Sequence, residues 1–341
     1  LNTAPESHLL DHIAPLADLL NIPLILSSEE MYSLAETYYP EVQKELMEDM
    51  EFQLKELAGR FDALVECKYW LPHLKTIFKN LYRKEMDLIF CPHGQSDKGF
   101  AKPLLAPYAQ QDIILLYGEM QMHMLKTLNI WETIDRFAFI GNYRLLYYQK
   151  HKKYLDQLVE EKIFSHLSPN LPTMLYAPTW KDADQSTSFF HWGQKIAKEK
   201  PADWNLIVKV HPLLEKRDPA SYYKLAYELQ NVANLLLISD FPPVYPLLAR
   251  TDVYLGDYSS VGYDFLYFER PMFFFSHPHL PTGALQSCGK ILSQDHSPFS
   301  FLAQLDNKKY IEKQKKLYNY AFGSGNCKTL FSTCRKDKNL F

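Results

Sequence analysis

Short apolar runs alternate along the chain with segments whose apolar positions recur every three or four residues. Runs of four to seven apolar residues bounded by Pro, Gly or Ser are typical of buried strands, and a 3.6-residue period is typical of helices. Strands are predicted in the first half at residues 22–26, 61–66, 86–91, 112–116 and 137–140, and in the second half at 173–177, 204–210, 235–238, 253–255 and 272–275.

Helical spacing fills the segments between these strands. Helices are predicted to begin at Ser7 and after Ser27 and Ser28, and to cover residues 38–57, 73–82, 119–128, 147–162, 192–199, 244–250, 261–268 and 301–320. Alternating strands and helices are typical of doubly wound α/β sheets.

A proline-bearing break at residues 167–172, LSPNLP, separates two such alternations. With 341 residues the chain is long enough for two domains of ordinary size. We therefore predict one domain at residues 1–165, a second at 166–322 and a flexible tail at 323–341.

The most informative segment is residues 250–275, RTDVYLGDYSSVGYDFLYFERPMFFF, which predicts a strand, a turn, a helix and a strand. The turn contains Asp257, Tyr258, Ser259 and Ser260, and the two serines fall where the helix begins. Free N–H groups and the helix dipole favour an anion at that point, so a phosphate site is one interpretation. The other is that a serine simply caps the helix.

A second polar loop, PHGQSDKG, follows the strand at residues 86–91. Ligands of open α/β sheets bind outside the carboxyl ends of the strands, which is where His93 is expected. Gly94 permits close approach of the backbone, and Asp97 and Lys98 bring opposite charges nearby. The alternative is that His93 only bonds to the backbone.

Two further strand ends of the second half, and one helical position, carry polar groups. Thr179 and Trp180 follow one strand, and Lys209 and His211 end another. Asp264 lies one helical turn after the serine pair, where it either accepts a ribose hydroxyl or caps its neighbours.

Composition narrows the class of protein. A net charge of −3 lacks the basic excess of a general nucleic-acid binder, so no nucleic-acid partner is expected. The five cysteines are odd in number and lack Cys-x-x-Cys spacing, which argues against a disulfide framework or a zinc ribbon, and no metal site is predicted. The sequence shows neither a signal peptide nor an apolar run near the ~20 residues that span a bilayer, so a cytoplasmic location is expected, with any membrane association peripheral.

Several motifs occur together in a specific order: His-Gly with a following Lys, Ala-Pro-Thr-Trp, Lys-Val-His-Pro, and Asp-Tyr-Ser-Ser with a later Asp-Phe and Arg-Pro. This set resembles the CDP-glycerol glycerophosphotransferases of teichoic acid synthesis. The resemblance covers residues 86–276 and is strongest from residue 174 onward. Co-ordered motifs are far more specific than any single one.

The resemblance implies a GT-B fold, with two Rossmann-like domains facing a central cleft. It also implies transfer of glycerol phosphate, or a related polyol phosphate, from a CDP-activated donor to a hydroxyl, with release of CMP and no separate cofactor. By the same resemblance His93 is the general base, His211 contacts the donor phosphates, and Ser259 and Ser260 grip the diphosphate.

The roles of the remaining positions are inferred from the chemistry of their side chains. Thr179 and Trp180 contact phosphate and base, with domain packing as the alternative for Trp180. Lys209 or Lys98 neutralises the leaving CMP. The acceptor is expected to be a polyol or glycan of a cell-surface polymer or of its lipid-linked precursor, at the inner face of the membrane.

The chain also departs from the family pattern. Cys91 and Pro92 precede His-Gly where many members carry Trp, and Gly256 stands where Ser or Thr often precedes Asp-Tyr-Ser-Ser. Three alternatives therefore stay open: a GT-B glycosyltransferase using a nucleotide sugar, a nucleotide-sugar epimerase, and a non-catalytic nucleotide-binding relative.

Overall fold

The computed structural model describes the chain except for residues 4–5, 97–104, 278, 294, 304, 324–333 and 336–341. The chain divides into two compact units. Unit 1 comprises Leu1–Gln95, Gly99–Lys150 and Asn319–Phe341, and unit 2 comprises Ser96–Lys98 and His151–Tyr318. The domain limits predicted from sequence, at residues 165/166 and 322/323, stay a prediction, and most of the predicted tail lies outside the described residues.

The described part of unit 1 is built on parallel strands. The strands are β1 (Leu24–Leu26), β2 (Lys44–Leu46), β3 (Ala63–Glu66), β4 (Asp87–Phe90), β5 (Ile113–Leu116), β6 (Arg136–Phe139) and β13 (Cys334–Arg335). The larger sheet has the order β13-β6-β5-β4-β3, with only β13 antiparallel among these strands. Strands β1 and β2 form a parallel pair, which a bridge from Leu26 to Asn2 extends.

The helices of unit 1 lie between its strands in the chain. They are α1 (Leu10–Leu20), α2 (Glu29–Tyr38), α3 (Leu54–Arg60), α4 (Leu74–Tyr82), α5 (Glu119–Thr127) and α6 (Tyr143–Lys150). Helix α2 begins after Ser28, as the sequence predicts. The Ser28 hydroxyl caps the helix by accepting a hydrogen bond from the Met31 amide at 3.3 Å.

The helix predicted at residues 38–57 is wrong. Strand β2, a 3₁₀ turn at Met50–Phe52 and helix α3 occupy this segment instead. The chain leaves α2 at Tyr38, and the Lys44 ammonium group donates to the carbonyl oxygens of Tyr39, Pro40 and Val42 at 3.0–3.2 Å. Pro40 has no N–H to donate to a helical hydrogen bond, and Lys44 occupies nearby carbonyl oxygens. The helix that the charge pattern predicted therefore does not form here.

Unit 2 contains one six-stranded parallel sheet of order β12-β11-β10-β7-β8-β9. Its strands are β7 (Thr173–Ala177), β8 (Asn205–Lys209), β9 (Leu235–Ile238), β10 (Val253–Gly256), β11 (Met272–Phe275) and β12 (Lys290–Leu292). The central strands β7, β10 and β11 are buried along their whole length, which is why they read as continuous apolar runs.

The helices of unit 2 alternate with these strands. They are α7 (Lys152–Lys162), α8 (Phe189–Glu199), α9 (Leu213–Arg217), α10 (Pro219–Gln230), α11 (Val244–Ala249), α12 (Val261–Phe265) and α13 (Lys308–Phe322), of which α13 ends in unit 1. The segment predicted as one helix at residues 147–162 is two helices, α6 and α7. Strands and helices of both units thus confirm the α/β class.

Candidate functional site

Three adjacent strands of unit 2 deliver polar loops to the same edge of its sheet. Strands β10, β7 and β8 are neighbours and all parallel, so their carboxyl ends meet there. The turn of Asp257 to Ser260 follows β10, Thr179 and Trp180 follow β7, and His211 follows β8. Sequence-predicted donor residues are thus brought together within one unit.

Asp257 is the structural centre of this edge. Its carboxylate is buried, with 1% of the residue exposed, and it accepts hydrogen bonds from the Thr179 amide at 2.9 Å and from the amide and hydroxyl of Ser188, each at 2.7 Å. A buried charge is tolerated when several donors satisfy it. Asp257 therefore fastens the loop after β7 and the start of α8 to the turn after β10.

The two serines of the turn lie directly before α12. Ser259 is buried, Ser260 is half-buried, and their carbonyls accept the amides of Gly262 at 3.1 Å and Tyr263 at 3.0 Å. Ser260 occupies the N-cap position of α12 with helical dihedral angles, and its hydroxyl makes no capping hydrogen bond within the described structure. The capping interpretation therefore does not account for Ser260.

Gly256, where the chain departs from the family pattern, is explained by its neighbour Tyr254. A Cβ atom at Gly256 would lie 2.4 Å from the Tyr254 hydroxyl oxygen. Tyr254 is fully buried and its ring stacks on Phe265 at 5.4 Å, so it has no room to move aside. Glycine is required here by packing.

His211 presents one particular ring nitrogen. Its Nδ1 accepts a hydrogen bond from the Leu213 amide at 3.2 Å, and an atom that accepts carries no proton. The neutral imidazole therefore bears its hydrogen on Nε2. The half-buried Trp180 ring lies 6.4 Å from the His211 ring, centroid to centroid, and Arg217 lies over the Trp180 ring at 5.4 Å. An Nε2–H group is a hydrogen-bond donor and suits an anionic ligand.

Two other predicted donor residues are engaged within unit 2. Asp264 is buried and accepts a hydrogen bond from the Tyr245 hydroxyl at 2.9 Å. Tyr258 is buried, and its hydroxyl donates to the Pro281 carbonyl at 3.0 Å. Both contacts hold the polypeptide together around the serine turn. Lys209 is half-buried at the end of β8.

In unit 1, His93 presents the opposite arrangement. Its Nδ1 lies 3.2 Å from the Cys67 carbonyl oxygen, which only accepts, so Nδ1 carries the hydrogen and Nε2 is left as a bare lone pair. The ring is accessible to solvent, yet protein atoms crowd around it, and this desolvation lowers the pKa of His93 below the usual 6.5. The Cys67 carbonyl and Glu6 oppose the shift in the pKa. His93 is therefore a neutral imidazole with a basic Nε2.

Gly94 gives the loop its shape. Its φ of 109° is a conformation that only glycine adopts easily, and its amide donates to the Tyr117 hydroxyl at 3.0 Å. The other predicted acceptor-side residues, Asp97 and Lys98, lie outside the described residues.

Two histidines that no sequence motif singled out lie beside His93. The ring centroids of His8 and His12 are 6.2 Å and 6.3 Å from that of His93, both in edge-to-face geometry. Burial, followed by the positive charge of Arg144 and the neighbouring His93 and His8, lowers the pKa of His12 well below 6.5. The spacing of His8 and His12, four residues apart, was the only available signal.

No group of three or more His, Cys, Asp or Glu side chains in the described part of the chain has a geometry that could hold a metal ion. Within the same residues no helix combines the length and apolar character needed to cross a bilayer.

Two units of parallel sheet with polar loops at the strand ends define an α/β protein of the GT-B class, and solved structures support this class. A structure of the wall teichoic acid polymerase TagF matches with a TM-score of 0.60 and 16% identity over 95% of this chain and 91% of that chain. UDP-GlcNAc 2-epimerase from Neisseria meningitidis matches with a TM-score of 0.58 and 14% identity over 96% and 95% of the respective chains. These likenesses confirm the predicted fold.

Part of the chain also matches a family model in sequence. Residues 146–279 match the family model of CDP-glycerol:poly(glycerophosphate) glycerophosphotransferase, which confirms the resemblance seen in the motifs. This segment contains His211 and the serine turn, whereas His93 lies outside it.

Curated relatives agree with the family match. The chain is 30% identical over 161 residues to the teichoic acid poly(glycerol phosphate) polymerase of Staphylococcus epidermidis, and 24% identical over 132 residues to the teichoic acid glycerol-phosphate primase of Bacillus subtilis. These alignments include 43% and 38% of this chain and only 20% and 30% of the relatives' own lengths.

Proposed function

We propose that the protein is a glycerophosphotransferase that moves glycerol phosphate from CDP-glycerol to a hydroxyl group, releasing CMP. The observation that carries the proposal is the edge of the unit 2 sheet. There the Ser260 hydroxyl, which makes no capping hydrogen bond in the described structure, the Nε2–H of His211 and Thr179 lie at the ends of adjacent strands within the family-matched segment. Such neutral donors suit a diphosphate whose leaving half becomes more negative during the reaction.

The proposed reaction is a phosphoryl transfer in which the acceptor hydroxyl loses its proton to the protein. The acceptor oxygen attacks the phosphorus that bears the glycerol, the bond from this phosphorus to the CMP oxygen breaks, and CMP departs with both bonding electrons. In the proposal, Nε2 of His93 takes the proton of the attacking hydroxyl, because its Nδ1 already carries a hydrogen toward Cys67. The hydrogen bond from His211 Nε2–H to the donor phosphates stabilises the developing charge.

Within unit 2 the proposed roles divide between contact and support. Ser259, Ser260 and His211 bind the diphosphate, with Lys209 adding positive charge and Thr179 and Trp180 contacting phosphate and base. Asp257, Tyr258 and Asp264 support the turn, because their polar atoms already bond to the protein.

For the acceptor we propose a polyol or glycan of a cell-surface polymer, or its lipid-linked precursor, at the cytoplasmic face of the membrane. Lysines of α13 offer positive charge for anionic lipids: Lys308, Lys309, Lys313, Lys315 and Lys316. Two of these lysines pair with glutamates, Lys315 with Glu269 at 3.3 Å and Lys316 with Glu312 at 3.6 Å. Co-sedimentation with phosphatidylglycerol vesicles that disappears at high salt supports this location, and equal recovery with neutral vesicles contradicts it.

The test of the donor site is a thermal-shift panel with CDP-glycerol, CDP-ribitol, CMP, UDP and UDP-GlcNAc. A ligand that binds only the folded protein raises the melting temperature. We expect cytidine nucleotides to stabilise the wild type and to lose this effect in a Ser259→Ala, Ser260→Ala double variant. The matched control is Ser165→Ala, an exposed serine of unit 2 whose hydroxyl donates to the Glu161 carbonyl.

Product analysis separates the alternatives. Release of CMP and growth of the acceptor by glycerol phosphate is the expected result. Release of UDP from a UDP-sugar indicates a glycosyltransferase, an isomerised UDP-sugar indicates an epimerase, and absence of any nucleotide response indicates a non-catalytic relative. Each of these three results overturns the proposal.

A further inference from the structure

One hydroxyl group in unit 1 contacts the backbone on both sides of His93. Tyr117, the residue after β5, places its hydroxyl oxygen 2.9 Å from the Pro92 carbonyl oxygen and 3.0 Å from the Gly94 amide. The same oxygen lies 3.1 Å from Nδ1 of His12. Residues 92 and 94 flank His93, so this single atom bridges the two ends of the turn that carries it.

The hydrogen-bond directions around this oxygen are fixed by chemistry. A tyrosine hydroxyl has one hydrogen and two lone pairs. The hydrogen must go to the Pro92 carbonyl, which only accepts, and one lone pair takes the Gly94 N–H. The remaining lone pair takes the hydrogen on Nδ1 of His12, so His12 must be the Nδ1–H tautomer. All three contacts are then satisfied at once.

The neutral state of the two side chains keeps this arrangement in place. Burial raises the pKa of Tyr117 far above its usual 10, and burial lowers the pKa of His12. Tyr117 therefore retains its hydrogen and His12 is neutral near pH 7. The bridge does not depend on a charged state.

The Tyr117 ring is itself rigidly held. It stacks on the ring of Tyr143 with centroids 6.0 Å apart and 10° between the planes, and the Phe322 ring meets it edge-on at 5.7 Å. The Tyr117 amide donates to Oε1 of Gln121 at 2.9 Å, and the residue is 1% exposed. A hydroxyl on such a ring occupies a well-defined position.

The turn that it contacts needs an external support. Gly94 has the greatest backbone freedom of any residue type, and the solvent-accessible His93 ring is bonded through Nδ1 to the Cys67 carbonyl. Loss of the bridge frees the Gly94 amide and lets the His93 backbone rotate. The bond from Nδ1 to the Cys67 carbonyl, which selects the tautomer, is then weakened.

We propose that Tyr117, supported by His12, is a positioning residue that aims Nε2 of His93 at the acceptor hydroxyl. The inference deepens the proposed function and rests on it, because it assigns the support of the same base. Neither residue touches the reacting atoms. Their effect runs through the backbone of the His93 turn.

The main test is Tyr117→Phe, which removes the bridging oxygen and keeps the ring. The assay follows CMP release from CDP-glycerol with a synthetic glycerol-phosphate oligomer as acceptor. We expect kcat to fall about 10- to 100-fold, since small misplacements of a reacting group have effects of this order, and KM for CDP-glycerol to stay within about twofold. The matched control is Tyr39→Phe, which removes another buried hydroxyl of unit 1, the one bonded to Asp11 at 3.1 Å.

A second readout is independent of turnover. The side-chain ¹⁵N chemical shifts of His93, assigned with His93→Ala, report which ring nitrogen carries the hydrogen. We expect the Nδ1–H form in the wild type and in Tyr39→Phe, and a mixture of both tautomers in Tyr117→Phe. An unchanged kcat together with an unchanged His93 tautomer in Tyr117→Phe overturns the inference.

A pair of substitutions at His12 covers the case in which Tyr117→Phe does not fold. Asparagine places an N–H group where Nδ1–H of histidine lies, whereas leucine has no donor. We expect His12→Asn to keep most of the turnover and His12→Leu to lose it as Tyr117→Phe does. Equal activity of the two variants contradicts the assigned support.

Failure of the broader proposal is distinguishable from failure of this inference. If His93→Ala turns over normally, His93 is not the base and the aim of Nε2 has no role, so both proposals fall. If His93→Ala is inactive while Tyr117→Phe is fully active, only the positioning role is lost.

Discussion

The histidines at the ends of β4 and β8 have the same side chain but opposite hydrogen-bond partners. Nδ1 of His93 donates to a backbone carbonyl, whereas Nδ1 of His211 accepts from a backbone amide. The first leaves a basic Nε2 and the second leaves an Nε2–H donor. The backbone group that meets one ring nitrogen thus determines the chemistry of the other.

The largest expected effect is that of removing the base. His93→Ala should lower kcat about 10²- to 10⁴-fold, the usual range for general-base catalysis, with little change in the affinity for CDP-glycerol. Initial rates of CMP release and a CDP-glycerol thermal shift measure the two quantities. His73→Ala, an exposed histidine of unit 1, is the control and should behave as the wild type. A strong loss of CDP-glycerol binding in His93→Ala contradicts the assigned role.

Glutamine sharpens the contrast between the two histidines, because its side-chain amide supplies an N–H donor near the position of Nε2 and has no basic nitrogen. We expect His211→Ala to lower kcat/KM about 100-fold, as is common for loss of one donor to a developing anion, and His211→Gln to recover most of it. His93→Gln should be as inactive as His93→Ala. If glutamine fails at position 211 or succeeds at position 93, the tautomers are assigned wrongly.

Because Asp257 holds the loops of the donor site together, we expect its substitution to lower the free energy of unfolding. Asp257→Asn replaces one carboxylate oxygen by an NH₂ group that faces a donor, and we expect a loss of about 1–3 kcal/mol in the free energy of unfolding. Chemical denaturation measures it. Asp203→Asn, on the exposed surface of unit 2, should change the free energy by less than about 0.5 kcal/mol. Equal effects of the two variants contradict the role of the buried carboxylate.

The smallest effect is a displacement of the pH profile. A base must be deprotonated to act, and burial lowers the pKa of His93, with His8, His12 and Glu6 as the titratable side chains nearby. Activity should therefore persist below pH 6.5 and decline only as the pH falls through the lowered pKa. The acidic limb of kcat/KM for CDP-glycerol measures it. An acidic limb above pH 6.5 contradicts this environment.

Sequence patterns predicted unit 2 more accurately than unit 1. Strands at residues 173–177, 235–238 and 272–275 have the predicted bounds. The first and last are buried parallel strands, which are continuous apolar runs, and the mostly half-buried edge strand at 235–238 is apolar at all four positions. The segment at 38–57 failed because Lys44 bonds to three nearby carbonyls and Pro40 interrupts the helix, neither of which appears in a charge pattern.

The candidate site was predictable where it follows strand ends. The ends of β7, β8 and β10 could be located in the sequence, and strand adjacency then brought their loops together. The contacts that join Tyr117 to the His93 turn and to His12 link residues 23 to 105 positions apart, and no local pattern encodes them. The internal bonds of Asp257 and Asp264 were likewise hidden, because a carboxylate looks the same in sequence whether it meets a ligand or a neighbouring loop.

The close approach of Tyr254 to Gly256 limits how the sequence can evolve at these two positions. With Tyr254 wedged against Phe265, a serine at position 256 has no space for its Cβ atom. A lineage that exchanges glycine for serine here must first replace the tyrosine by a smaller residue. The replacement of Tyr254 must therefore precede the replacement of Gly256. The intermediate that still folds has a small residue at position 254 and glycine at position 256.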